Sequence, residues 1–161
     1  MNMNPNVFSK WLKVVIIGTT LIGIASCVYV IPECGSIFRM RYPEFAGWVY
    51  PWMILLYACS IPCFAAMIIC WKIATNINND MSFSSENAKL FKLFSYLAAG
   101  DTAAFFAGCV VFLAAGINHP GMLIIEMLIV FVGIAVFVCT AALSYLVAQA
   151  ANLQEESDLT I

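Results

Sequence analysis

The sequence predicts an all-α integral membrane protein, a four-helix bundle made of two transmembrane hairpins, and three observations carry that prediction. The 161 residues are 63% hydrophobic and 10% charged, with a mean hydropathy of +0.95, against roughly 45–50% apolar and 25% charged residues in soluble domains. Apolar residues run through whole helical turns on every face, which leaves no polar surface for water and makes lipid the solvent. One long polar interval, from Asn76 to Lys89, divides the chain into two apolar halves, each long enough for a hairpin.

The first span covers about residues 12–33, long enough with its flanks to cross a hydrocarbon core of about 30 Å. Lys10 and Lys13 flank Trp11 at its start. Ile24-Ala25-Ser26-Cys27 also fits a lipoprotein cleavage box, but the chain stays apolar through Val28-Tyr29-Val30-Ile31, where a lipoprotein turns polar. The interval from Pro32 to Gly47 reads as a short loop carrying Glu33, Arg39, Arg41 and Glu44. Tyr42, Phe45, Trp48, Tyr50 and Trp52 cluster around it, as aromatics do at headgroup level. The second span, about 48–73, holds Pro62 near its middle. A proline there donates no backbone hydrogen bond, frees the carbonyl of Ala58 and predicts a kink.

The connector, 74–89, ends in a helix start: Ser84 is placed to cap the next turn, and Glu86 falls where the helix dipole favours negative charge. The third span, about 90–116, therefore begins in water with Lys89 and Lys92 at the surface. Gly100, Ala104 and Gly108 recur along it every fourth residue, beside Ala99, Ala103 and Ala107, a spacing that lets neighbouring helices approach closely. Gly116 to Gly121 forms a tight turn, the fourth span covers about 122–148, and an acidic tail, 149–161, follows. Lys10, Lys13, Lys72, Lys89 and Lys92 lie on the side of the termini and connector, against Arg39 and Arg41 on the other. That excess predicts a multi-pass protein of the bacterial cytoplasmic membrane with both termini and the connector in the cytoplasm.

Chemistry is sparse. Net charge is −2 with seven Lys and Arg in all, which excludes direct nucleic-acid binding. Six of the seven cysteines fall in apolar runs, where a thiol behaves as a small hydrophobe, and Cys34 alone lies near a membrane boundary. Cys59, Cys63 and Cys70 share a helix face without a histidine or carboxylate near enough in sequence to make a metal set. His119 is the single histidine, so bis-histidine haem and a Ser-His-Asp triad have no partners within the chain. No phosphate loop, dinucleotide fingerprint or HExxH occurs. The reading is a non-enzyme with no cofactor, no metal and no catalytic residues.

Three polar side chains fall inside spans. Asp101 lies near the bilayer midplane, where an ionised carboxyl costs several kcal/mol and marks a site of interest. A protonated Asp101 would donate to the carbonyl freed at Ala58, or bond with Ser60 on the second span, so a helix-to-helix hydrogen bond is the simpler role. Glu126 sits one turn inside the fourth span and is expected to form a boundary ion pair with Arg39 or Arg41.

Tyr42-Pro43-Glu44-Phe45 with Pro51 and Pro62, Phe83-Ser84-Ser85-Glu86-Asn87-Ala88-Lys89, and Leu153-Gln154-Glu155-Glu156-Ser157-Asp158-Leu159-Thr160-Ile161 together resemble the bacterial family of small four-span proteins catalogued as domain of unknown function 2975. The resemblance covers nearly the whole chain, and the connector and tail are its more specific parts. It implies a gene neighbourhood with a small Xre/Cro-type helix-turn-helix regulator, and hence a partner.

Two functions follow as expectations. In the first, the spans anchor a regulatory partner, and Phe83, Ser84, Glu86, Asn87 and Lys89 of the connector with Glu155, Glu156, Asp158 and Leu159 of the tail bind the regulator. Acidic groups facing a basic protein speed encounter and compete with DNA phosphates. In the second, a small transport, immunity or ligand-binding protein uses Asp101 and the Pro62 kink as an intramembrane site. Four spans enclose little volume, a limit that a homo-oligomer would relieve.

Overall fold

The computed structural model describes residues 5–79, 81–118 and 120–158. Helix α1 (Pro5–Ala25) passes through a π-helical turn, Ser26–Val30, into α2 (Ile31–Arg41); a 3₁₀ turn, Pro43–Trp48, leads to α3 (Val49–Asn78), followed by α4 (Ser85–Ala114) and α5 (Pro120–Asp158). No strand occurs among the described residues. Four continuous helical stretches, Asn6–Arg41, Pro43–Asn78, Ser85–Ala114 and Gly121–Ser157, are long and apolar enough to cross a membrane. Only 6–11% of the residues in their most apolar windows are buried within the protein. Side chains such as Ile22, Ile54, Phe131 and Ile124 are 68–74% exposed, an arrangement stable only against lipid.

The interval from Pro32 to Gly47, expected as a loop, is helical. Pro32 follows directly on the π-helical turn Ser26–Val30, where Ile31 N–H reaches the Ser26 carbonyl and the ladder shifts register, so the proline enters a continuous helix at its bulge. Arg39 and Arg41 lie in the last turn, where the helix dipole favours positive charge. The π turn widens the backbone ring just before α2, and Tyr57 Oη donates to the Cys27 carbonyl at 2.9 Å. An aliphatic environment offers that carbonyl no water.

Neighbours in sequence are neighbours in space: α1 packs on α3, α3 on α4, and α4 most extensively on α5. Ser9, 1% exposed, donates to the Ala74 carbonyl at 2.6 Å and ties the start of α1 to the end of α3. Ser144 Oγ donates to the Ala88 carbonyl at 2.8 Å and ties the C-terminal part of α5 to the start of α4. The start of α1, the connector and the C-terminal part of α5 therefore share one end of the bundle. At the opposite end α4 closes with Gly116 at φ 69°. Ile117 N–H reaches the Phe112 carbonyl at 3.1 Å and Gly116 N–H the Leu113 carbonyl at 3.0 Å, the pairing that a left-handed C-terminal residue permits.

The small-residue stripe of α4 makes the close contact expected of it at Gly108 but not at Gly100. Gly100, Ala103, Ala104 and Ala107 are exposed, and no neighbouring atom lies within 4 Å of where a Gly100 side chain would begin. The tight approaches are Gly108 against Leu55 of α3, where an added Cβ would meet a methyl at 2.6 Å, and Gly133 of α5 against the Thr102 hydroxyl. Spacing located small residues; the rotation of α4 decides which of them touch a helix.

Candidate functional site

Two sites stand out, one inside the helices and one at the connector end. The first is a crevice of about 360 Å³ between α3, α4 and α5, lined by Cys59, Ser60, Pro62 and Cys63 from α3, Phe94, Ala98, Asp101, Thr102 and Phe105 from α4, and Ile129, Val132, Gly133 and Val136 from α5. Helix α3 continues through Pro62, which forms part of the wall.

Asp101 does not meet the partners anticipated for it. Ser60 Oγ turns back to the Tyr57 carbonyl at 2.7 Å, as Ser and Thr hydroxyls do within a helix. The Cys63 thiol donates to Asp101 Oδ2 at 3.7 Å, and Cys59 lines the same crevice. Cys63, four residues after Cys59 on α3, is a polar contact as well as a packing group. Thr102 Oγ1 donates to Ala98 at 2.7 Å and so offers Asp101 nothing. No Lys or Arg contacts this carboxyl among the described residues. Nor do the described residues hold a group of three His, Cys, Asp or Glu side chains fit for a metal ion.

Glu126 is buried, at 3% exposure, and forms no ion pair with Arg39 or Arg41. It points into the α4–α5 seam. Asn118 Nδ2 donates to its Oε2 at 2.6 Å. Its Oε1 and the Asn118 Oδ1 have no hydrogen-bond partner among the described residues. The Arg39 guanidinium instead lies over the Tyr50 ring at 4.1 Å, a cation–π contact available wherever this end gathers aromatics.

The second site is at the connector end. Met81, Phe83, Ser84 and Ser85 of the connector and Ala151, Gln154 and Glu155 of α5 line a single groove of about 250 Å³. Ser84, extended at φ −114° and ψ 153°, caps α4 by accepting from Asn87 N–H at 3.2 Å. Phe83 is 61% exposed and Leu153 63%; Glu86, Lys89 and Glu156 are exposed nearby.

Asn87 cannot be a partner-binding residue. It is fully buried, accepts from Asn76 Nδ2 at 2.9 Å, and donates to the carbonyls of Met81 at 3.0 Å and Ser82 at 3.1 Å. Its amide satisfies groups from α3 and the connector, so its place in the connector motif is structural. Leu159 and the side chain of Asp158 lie outside the described residues, as does His119.

Four lipid-facing helices joined by short polar turns define an integral membrane protein. Within that class the chain belongs to the family described as "Protein of unknown function (DUF2975)", which matches residues 35–161. It is 29% identical over 163 residues, covering 100% of both chains, to the "Uncharacterized membrane protein YoaS" of Bacillus subtilis (strain 168). No solved structure matches.

Proposed function

We propose that this chain is a non-enzymatic docking protein of the bacterial cytoplasmic membrane, with both termini and the connector in the cytoplasm. Its connector and acidic tail hold a small basic helix-turn-helix regulator of the Xre/Cro type at the membrane surface. The observation that carries this reading is the convergence of Met81–Ser85 with Ala151–Glu155 on one groove at the end shared by the termini. The groove is sized for a single anchoring side chain, exposed Phe83 and the acidic Glu155 line it, and Leu153 is exposed on the same stretch of α5. An apolar anchor inside a polar rim is how protein interfaces concentrate affinity. Co-purification of the neighbouring regulator from native membranes tests it, with Phe83→Ala, Leu153→Ala and Glu155→Lys combined. These side chains are exposed, so the Asn87 contacts survive. Retention of the regulator by the triple variant at wild-type level refutes the reading.

A second reading, a ligand site or transport pathway at Asp101, is favoured by the crevice that opens on that carboxyl. Equal substrate flux into proteoliposomes for wild type and Asp101→Asn excludes its transport form.

A further inference from the structure

Building on the ligand-site reading, and independently of the docking surface, we propose that the Asp101 crevice binds a small lipophilic cation that enters sideways from the bilayer. The walls are almost wholly apolar and come from three helices, with a volume of about 360 Å³, within the range of small-molecule sites. The lining residue Val132 is 53% exposed on the lipid side of α5.

The polar inventory selects the charge of the occupant. Ser60 and Thr102 spend their hydroxyl protons on their own helices. The Cys63 thiol is turned to Asp101, and thiols are weak donors. The carboxyl therefore keeps acceptor capacity that no cation of the described chain meets. A neutral apolar ligand would leave that unchanged. An organic cation supplies the missing charge and fills the apolar volume with its body, beside Phe94 and Phe105 in the lining. A bare metal ion would leave most of the cavity unfilled, and the donor geometry for one is not formed.

The test uses the full chain in lipid nanodiscs and equilibrium binding of tritiated N-methyl-phenylpyridinium, whose charge is permanent, beside its uncharged isostere methylbiphenyl. The expected result is saturable binding of the cation, weakened roughly tenfold or more by Asp101→Asn, preserved by Asp101→Glu, and poorly competed by methylbiphenyl. Val132→Trp, which crowds the crevice but keeps the carboxyl, weakens binding too and decides the matter if Asp101→Asn does not fold. Equal saturable binding of both probes, indifferent to Asp101, overturns the cation assignment and leaves a ligand site standing. Saturable binding of neither probe overturns both.

Discussion

Replacing Asn87 by alanine is the sharpest test of how the connector is held. The substitution deletes three side-chain hydrogen bonds, from Asn76 Nδ2 at 2.9 Å and to the carbonyls of Met81 at 3.0 Å and Ser82 at 3.1 Å. Each contributes about 1 kcal/mol net. Asn76, only 9% exposed, is left with an amide facing a void, which costs roughly 1–3 kcal/mol more. Alanine returns about 0.5 kcal/mol through its better helix propensity at the third position of α4. The net expectation is a loss of roughly 3.5–5.5 kcal/mol, read by reversible unfolding in mixed micelles. Limited proteolysis should show faster cleavage near Phe83, because the connector loses the amide that gathers its carbonyls. Asn87→Asp should be no better: it keeps an acceptor for Asn76 but turns a carboxylate on two carbonyl oxygens. A cycle with Asn76→Ala should show coupling of about 1–2 kcal/mol. A cost for Asn87→Ala below about 1 kcal/mol, with no coupling to Asn76, would falsify the account.

Gly133→Ala should destabilise by roughly 1–3 kcal/mol through its clash with Thr102, whereas Gly100→Ala, with open space around it, should stay within about 0.5 kcal/mol of wild type; thermal melts in nanodiscs compare them. Tyr57→Phe removes the bond to the Cys27 carbonyl in the π turn, and its cost in mixed-micelle unfolding should be about 0.6–1.7 kcal/mol, the range of side-chain hydrogen bonds in membranes. Regulator retained on purified membranes should fall as salt rises through the range where the Debye length drops below about 10 Å. Phe83→Ala should weaken it without altering that salt slope, and Glu155→Lys should flatten the slope.

How much of this was legible in the sequence depends on which physical quantity each feature reflects. The helical class and the four long apolar helices among the described residues were readable because a hydropathy window depends on local sequence alone. Ser84 was readable as a cap because capping is decided within one turn. The helix of Ile31–Arg41 was not, since Pro32 and the charges after it read as a loop until the π-helical turn before the proline and the helix end at Arg39 and Arg41 are known. The exposed stripe of Gly100, Ala104 and Ala107 shows the same limit for packing: the period locates a face, and only the rotation of α4 says what the face meets.

The sites depend on contacts between residues far apart in sequence, and that is where local patterns stop. Cys63 and Asp101 are 38 residues apart, and their meeting requires α3 and α4 to pass in one register. The four-residue spacing of Cys59 and Cys63 was the available signal, and it gained meaning once a carboxylate was known to face it. Asn87 shows the converse. A polar residue in a connector reads as surface by default, yet its amide is the one group able to serve Asn76, Met81 and Ser82 together. A rigid connector is also what the docking surface requires. Phe83 stands at 61% exposure beside the groove because the turn beneath it is fixed by Asn87, so burying that amide is what lets the apolar ring remain outside.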